Sequence, residues 1–240
     1  MNAPISNKVA IRAAFSTSVR DGYISNGADD EDIKSARLKT LFQATEKLSF
    51  VLTGEYNVQG GHGFASVNEF IDQDDEDDPW TSDSELGAPN NRKQNGLNAN
   101  VTWETGIGTL TVLPSFSKTT SSQVGEDFMS GDIRHTDFKQ TEKSAEMRMT
   151  SSSDFFIKWI AGLNYFKSDN NRSGTTEGSI AKEYSGYWDE TKAIYANITY
   201  PFTDAFRITA GGRKNWAKMT THNETLNSST SQMFGPPQPN

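Results

Sequence analysis

An acidic run is the most conspicuous group of residues in this chain that could do chemistry. The stretch DQDDEDDPW, Asp72–Trp80, carries six carboxylates within seven positions. Carboxylate oxygens are the ligands that hard divalent cations prefer. The run lacks the D-x-D-x-D-G spacing with a distal Glu that defines a calcium-binding loop. It therefore favours a solvated acidic loop, with weak ion-mediated contact to a neighbouring surface as the alternative.

The histidines and one glycine-rich stretch could also mark a catalytic or cofactor site. His62, His135 and His222 have no nearby Ser, Asp or second His at a catalytic or metal-binding spacing. The stretch GGHGF, Gly60–Phe64, has the composition of a phosphate-binding loop but lacks its Lys-Ser/Thr pair and follows a predicted strand without opening a helix. Cysteine is absent, which excludes thiolate sites. The sequence thus predicts no enzymatic activity, no catalytic residues, no metal and no cofactor.

Aromatic residues in two long polar links are the candidate ligand contacts. An aromatic ring offers a large, rigid surface at small entropic cost. The alternative is that these rings pack the links against one another or rest on a membrane surface. The candidate residues are Phe64, Phe70 and Trp80 in the link Gln59–Asn95, and Tyr184, Tyr187 and Trp188 in the link Lys167–Thr191.

Strands must hold these links in place, and the apolar residues alternate as strands require. In LSFVLTGEYNV, Leu48–Val58, every second residue is apolar or small over eleven positions, about twice the usual length of a soluble strand. Ser35–Ala44 also fits one face of a helix, but its alternation and the short link to Leu48 favour a strand in a hairpin. The nine strands predicted in this way are Val9–Val19, Ser35–Ala44, Leu48–Val58, Gly96–Glu104, Gly108–Lys118, Gln140–Thr150, Phe156–Phe166, Lys192–Tyr200 and Phe206–Trp216.

The links between these strands alternate in length. Short links follow Ala44, Glu104, Thr150 and Tyr200. Long links occupy the intervals Asp21–Lys34, Gln59–Asn95, Thr119–Lys139 and Lys167–Thr191. This pattern is typical of an outer-membrane β-barrel, with short turns on the periplasmic side and long loops outside. A mean hydropathy of −0.67 does not exclude that class, because only every second residue of a barrel strand faces lipid. The sequence therefore predicts an all-β fold, an antiparallel meander of about nine long strands forming part of a transmembrane barrel wall.

The two faces of the predicted strands differ in charge. A charge facing lipid at the membrane midplane costs about 2–4 kcal/mol, so charged strand residues are expected to face a wet or protein-filled lumen. These residues are Arg12, Arg37, Lys39, Glu55, Glu104, Glu146, Arg148, Lys158 and Arg213. We expect Leu52, Val101, Val112, Leu163 and Ile208 on the convex face, and Glu55, Asn100, Thr111, Lys158 and Arg213 on the concave one. Aromatic residues near strand ends suggest a membrane-interface girdle rather than a soluble core, namely Trp103, Trp159, Tyr165, Tyr200, Phe202 and Trp216.

Several segments resemble the barrel of TonB-dependent receptors, in the order of that family. They are NAPISNKVAIRAAFSTSVRDGYISN, GIGTLTVLPSFSK, SAEMRMTS, WIAGLNYF and YPFTDAFRITAGGRKNW. The resemblance spans nearly all of residues 2–218. It implies a 22-stranded barrel closed by an N-terminal plug, which imports an iron-siderophore, cobalamin or an oligosaccharide with energy from the TonB complex. Nine strands are too few for such a barrel, so residues 1–240 are expected to be one partial barrel domain without the plug and the remaining strands.

The resemblance also implies location and partners. It places the chain in the bacterial outer membrane, in contact with membrane lipid and lipopolysaccharide, with a plug domain, the TonB complex and a small-molecule ligand as further partners. A net charge of −8 argues against nucleic acid as a partner. Two other classes remain open at this point: a passive porin-like outer-membrane channel, and a secreted β-rich binding or adhesion protein.

Overall fold

The computed structural model describes residues 2–63, 80, 90–126, 132–179, 181–203 and 205–227. Ten strands account for nearly all of these residues. Their bounds are β1 Asn2–Ser6, β2 Val9–Arg20, β3 Glu31–Thr45, β4 Leu48–Gly60, β5 Asn90–Thr105, β6 Gly108–Glu126, β7 Ile133–Ser151, β8 Lys158–Thr176, β9 Ala181–Pro201 and β10 Arg207–Asn227. None of the described residues forms a helix that is long and apolar enough to cross a membrane.

All ten strands form one sheet in sequence order, and every neighbouring pair is antiparallel. The predicted meander is confirmed, and Ser35–Ala44 lies in β3, so the strand interpretation of that segment is correct. The structure adds β1, a five-residue strand that the sequence did not predict. It contains Pro4, which cannot donate a backbone hydrogen bond, and its pairing with β2 shifts between Pro4 and Ser6.

The predicted short links all lie at one end of the sheet, which we call the short-turn rim. Two-residue turns join β1 to β2, β3 to β4 and β5 to β6. Gly108 begins β6 with a φ of +151°, and a Cβ on this residue would lie 2.1 Å from the carbonyl oxygen of Thr150. Only glycine fits so close to the neighbouring strand. The opposite end of the sheet is the long-loop rim.

The links at the long-loop rim are shorter than the sequence predicted. Much of the predicted link Thr119–Lys139 belongs to β6 and β7, and much of Lys167–Thr191 belongs to β8 and β9. Between the strands only residues 127–132 and 177–180 remain. In the outer part of each strand the apolar residues no longer alternate with polar ones. The backbone of the strand nevertheless continues to form hydrogen bonds with the neighbouring strands. The predicted alternation of short and long links was therefore wrong at these two connections.

The sheet has almost no hydrophobic core. Among the described residues the buried apolar side chains are only Ala28 and Ala193. Large apolar side chains stay exposed in the middle of strands: Phe15 is 73% exposed, Leu38 52% and Leu163 49%. A soluble domain would cover such side chains with a second layer, so this sheet is built to meet an apolar surrounding on one side.

Candidate functional site

Alternate residues give the sheet one apolar face, and the strand register joins these residues into rows. One row runs Phe50, Val101, Val112, Met147, Leu163 and Ile194 from β4 to β9. Leu52 and Ile208 lie on the same side of their strands. We call this side the apolar face. It is continuous because the same parity is apolar in each successive strand.

The height of the apolar face can be estimated along strand β5. On β5 ten residues separate Trp103, near the short-turn rim, from Lys93, the first charged residue on that face. At about 3.3 Å per residue and a strand tilt near 40°, ten residues span a height of about 25 Å. That is the height of the apolar band of outer-membrane barrels.

The opposite side of the sheet, the polar face, carries the charged residues predicted to line a lumen. The register places all nine on this one face: Arg12, Arg37, Lys39, Glu55, Glu104, Glu146, Arg148, Lys158 and Arg213. It likewise places Asn100 and Thr111 opposite to the apolar face, so the two sets divide as the sequence predicts. Mixed signs along this face allow neighbouring strands to form ion pairs.

Several of these charges are held by partners on the same face. The Arg37 Nε lies 2.8 Å from Glu55 Oε1, between β3 and β4. Glu146 lies 3.7 Å from Arg148 Nη1, and it accepts a 2.8 Å hydrogen bond from the Tyr195 hydroxyl. The Arg213 guanidinium sits 5.8 Å from the centroid of the Tyr195 ring. These contacts link β7, β9 and β10 across the polar face.

Two cavities lie on the polar face. One, of about 420 Å³, is lined by β2 to β6 and includes Arg37, Glu55 and Asn57. The other, of about 460 Å³, is lined by β3 to β8 and includes Asn100 and Glu146. A cavity that contacts six successive strands from one side requires that side to be concave there. The polar face therefore forms the inner surface of a curved wall at this level.

At the long-loop rim, Trp80 contacts the β2–β3 connection. Its carbonyl oxygen accepts a 2.8 Å hydrogen bond from the Ser25 amide, and its ring lies 6.3 Å from that of Tyr23. The Arg20 guanidinium stacks 4.0 Å from the Tyr23 ring. Trp80 remains 58% exposed, so one side of this cluster is open for contact. The candidates Phe64 and Phe70 lie outside the described residues.

The other three aromatic candidates lie on strand β9, not in a loop as the sequence suggested. Tyr187 pairs with Asn170 and belongs to the polar face. Tyr184 and Trp188 have the opposite parity and belong to the apolar face. Trp188 lies beside two lysines of that face, with the Lys167 and Lys218 ammonium groups 5.6 and 5.1 Å from its ring centroid. The strand thus separates the three rings between two surfaces, which the loop assignment could not do.

A carboxylate lies among these lysines. Glu190 Oε1 is 2.5 Å from the Lys192 ammonium. The register partners of Glu190 are Lys167 of β8 and Lys218 of β10, so three lysines lie close to one carboxylate on the apolar face.

No group of three or more His, Cys, Asp or Glu side chains in the described ranges could hold a metal ion. His62 instead contacts Asp30, with Nδ1 3.3 Å from Oδ2, and His135 Nε2 lies 3.0 Å from Glu177 Oε1. Both pairs lie near the long-loop rim. The first joins the β2–β3 connection to the β4–β5 connection, and the second joins the β8–β9 connection to β7.

A single meandering sheet with an apolar outer face, a charged concave face and turns at two rims is part of the wall of a large β-barrel. No family model and no curated protein matches the chain. Solved structures do match. The ferric yersiniabactin uptake receptor FyuA from Yersinia pestis has a TM-score of 0.75 at 13% identity, over 94% of this chain and 39% of that chain. FpvA of P. aeruginosa, bound to a pyoverdine, has a TM-score of 0.73 at 11% identity, over 94% and 35%.

The ferric citrate transporter FecA gives a third match, with a TM-score of 0.66 at 14% identity, over 92% of this chain and 34% of that chain. The chain therefore spans less than half the length of each of these proteins. The fold predicted from the resemblance is confirmed: it is that of a barrel-wall portion of TonB-dependent receptors. The matched proteins are described as receptors and a transporter, and none as an enzyme.

Proposed function

We propose that this chain forms part of the barrel wall of an outer-membrane active transporter, which takes up a scarce ligand with energy from the TonB complex. The observation that carries the proposal is the two-faced wall. An uncovered apolar face, about 25 Å high on β5, lies behind a concave face that carries charges such as Glu55 and Arg213. One side suits lipid and the other suits a lumen that holds water or protein.

The ligand belongs to the iron-siderophore, cobalamin or oligosaccharide class, with an iron-siderophore favoured. The support is that the matched structures are receptors for ferric yersiniabactin and pyoverdine and a transporter of ferric citrate. In this chain Tyr187 on the polar face and Trp80 at the long-loop rim offer aromatic surface to such a ligand.

A plug domain is the natural neighbour of the polar face in the proposed transporter. The cavities beside Glu55 and Glu146 present carboxylates, guanidinium groups and amides to whatever fills the lumen. Such groups serve a domain that must bind reversibly, because hydrogen bonds and ion pairs exchange readily with water during transport.

Uptake measurements test this function. The full-length protein would be expressed in a Gram-negative host that lacks its own siderophore receptors, with and without TonB. Uptake of radiolabelled iron would be measured with ferric citrate and a ferric hydroxamate, beside uptake of labelled cyanocobalamin and maltohexaose. We expect one of these to accumulate only when TonB is present.

Each rival class has its own outcome. Uptake that proceeds equally without TonB would indicate a passive channel. Recovery of the protein in the medium, rather than in the outer-membrane fraction, would indicate a secreted binding protein. Either result contradicts the proposal, and the second also contradicts the membrane location.

A further inference from the structure

One row of the polar face carries an uncharged hydrogen-bonding side chain on every strand from β2 to β10. A row here is the series of residues that face one another across neighbouring strands. On β2 to β5 its members are Ser16, Ser35, Asn57 and Gln94. On β6 to β10 they are Thr119, Gln140, Asn170, Tyr187 and Thr221. Each offers a hydroxyl or an amide group. We call this series the uncharged row.

The rows on either side do carry charges. The next row toward the short-turn rim includes Arg37, Glu55 and Glu142. The next row toward the long-loop rim includes Arg92 and Arg172. The uncharged row lies three to seven residues from the long-loop end of each strand. Its hydroxyl and amide groups can replace water around an uncharged polar ligand, whereas a charged ligand would meet no counter-charge within the row.

Four members of the row line the 420 Å³ cavity of the polar face, namely Ser16, Ser35, Asn57 and Gln94. Small-molecule pockets have volumes of about 300–1,000 Å³. Asn57 Nδ2 donates a 2.7 Å hydrogen bond to Ser35 Oγ, which fixes its carboxamide. The exposed Gln94 side chain forms no hydrogen bond within the described part of the chain, so its amide is available to a ligand. Arg37 and Glu55 also line this cavity, and their ion pair leaves it without net charge.

Two further members are held inside the wall. Thr119 is 6% exposed and Asn170 2%. Asn170 Nδ2 donates to Ser168 Oγ at 2.9 Å, while its Oδ1 has no hydrogen-bond partner among the described residues. Buried polar atoms are nearly always paired, so this oxygen is an acceptor for which the described wall supplies no donor. A hydroxyl group of a ligand would supply one, beside the ring of Tyr187, the register partner of Asn170.

The length of the row separates the ligand classes. Neighbouring strands lie about 4.8 Å apart, so nine members extend about 38 Å along the wall. An iron chelate is compact and would meet only a few of these strands. A linear oligosaccharide presents hydroxyl groups at every sugar unit, and one unit is about as long as the spacing between two strands. The row therefore fits an extended ligand with repeated hydroxyl groups.

We propose that the uncharged row binds a linear, uncharged oligosaccharide, which lies across the strands on the polar face. The proposal rests on the proposed transport function. From this chain's own residues it names a ligand of a different class from the iron chelates of the matched receptors. Successive sugar units would lie over successive strands, with their hydroxyl groups bound to the row and one sugar face against the Tyr187 ring.

Binding of hexasaccharides to the full-length protein tests the proposal, in a detergent without a sugar headgroup. The linear probes are maltohexaose, cellohexaose and xylohexaose, and isothermal titration measures each Kd. We expect at least one to bind, with a Kd that falls at each step from the disaccharide to the hexasaccharide, because each added unit meets one more strand. The cyclic hexamer α-cyclodextrin cannot extend along the row and should bind more weakly than any linear hexasaccharide that binds.

Variants on the two faces of the same strands separate the row from the rest of the wall. Ser16→Ala/Gln94→Leu/Thr221→Val removes three hydrogen-bonding groups from the row. Each lost hydrogen bond weakens binding by a factor of about 2–12, so the Kd should rise about tenfold or more. Thr17→Val/Asn95→Leu/Thr220→Val alters the adjacent residue of each strand, which lies on the opposite face. This control should keep its Kd within about twofold of the unaltered protein.

Heat-modified gel mobility checks that both variants are folded. If the row variant did not fold, the comparisons of chain length and of ring with chain on the unaltered protein would still decide. Absence of binding by all three linear probes, a Kd independent of chain length, or equal loss in the two variants would overturn the oligosaccharide site. Stronger binding of hexagalacturonate, which carries carboxylates, than of the neutral hexasaccharides would contradict an uncharged ligand.

The outcomes for this site and for transport are distinct. TonB-dependent uptake of an iron chelate by a protein that binds no hexasaccharide would overturn the oligosaccharide site and leave the transport function standing. Conversely, hexasaccharide binding through the uncharged row without any TonB-dependent uptake would contradict the transport function and leave the site standing.

Discussion

The ring of Tyr195 lies over the backbone of Gly162. A Cβ placed on Gly162 would come within 2.4 Å of the Tyr195 Cζ atom and 2.5 Å of its hydroxyl oxygen. Gly162 is the residue of β8 that pairs with Tyr195 of β9. The missing side chain lets the tyrosine cross β8 and donate its hydrogen bond to Glu146 on β7. Glycine at position 162 thus permits a hydrogen bond between β9 and β7, which are not neighbouring strands.

Replacement of Gly162 by Ala should break this bridge. A methyl group would push the Tyr195 ring aside and leave the Glu146 carboxylate without its hydroxyl partner, and a hydrogen bond to a charged group contributes about 1.5–3 kcal/mol. We expect a loss of that order in the free energy of unfolding of the full-length protein in detergent. Gly54→Ala is the control, because nothing lies within 4 Å of its Cβ position. Equal stability of the two variants would refute the bridge.

A second variant checks the cause of that loss. Tyr195→Phe removes the hydroxyl and keeps the ring, so it should cost part of the same energy. The double variant Gly162→Ala/Tyr195→Phe should then lose less than the sum of the two single changes, because both act on one hydrogen bond. Strict additivity in urea unfolding would indicate that the two residues act independently.

Arginine substitutions on the two faces of β8 should differ sharply in membrane assembly. Leu163 lies on the apolar face beside Met147 and Ile194, whereas Asn164 lies on the polar face opposite Glu146. Leu163→Arg should cost about 2–4 kcal/mol because it places a charge in hydrocarbon. Asn164→Arg keeps its charge in the lumen. The folded fraction in the outer membrane, measured by heat-modified gel mobility, should fall only for Leu163→Arg, and similar fractions would argue against the lipid assignment.

The aromatic residues of β9 should separate by function. Tyr187→Ala removes a ring from the polar face and should weaken binding of the transported ligand by about 1–2 kcal/mol, roughly 5- to 30-fold. Trp188→Ala removes a ring from the apolar face beside Lys167 and Lys218 and should leave that affinity unchanged. Isothermal titration in detergent measures both values. If only Trp188→Ala weakened ligand binding, the ligand would contact the apolar face, and the assignment of ligand binding to the polar face would be wrong.

Deletion of the acidic segment Asp72–Glu85 tests the contribution of the long-loop rim. The deletion removes Trp80 and with it the contacts to Ser25 and Tyr23. We expect ligand affinity to fall while the amount of assembled barrel stays the same, because no strand of the described sheet is shortened. If titration showed an unchanged affinity for the transported ligand, this segment would not contribute to ligand binding.

The alternation of apolar residues was enough to predict the strands and their two faces along the apolar face. In Leu48–Val58 every second residue is apolar or small, and this alternation can be read without any neighbour. It also placed Arg37 and Glu55 on one face, although not in contact. The alternation ends where β8 and β9 extend beyond the apolar face. The sequence therefore predicts a loop for the outer parts of these strands and places Trp188 in it, whereas Trp188 lies on β9.

Which residues of different strands become neighbours depends on the register of the folded sheet. The register brings Gly162 beneath Tyr195 and places Lys167 and Lys218 on either side of Trp188. A strand's own pattern sets the direction of each side chain, but not its offset from the next strand. That offset is fixed by turns such as the one before Gly108 and by backbone hydrogen bonds along the whole length of each pair. Surfaces that cross strands therefore exist only once the sheet has formed.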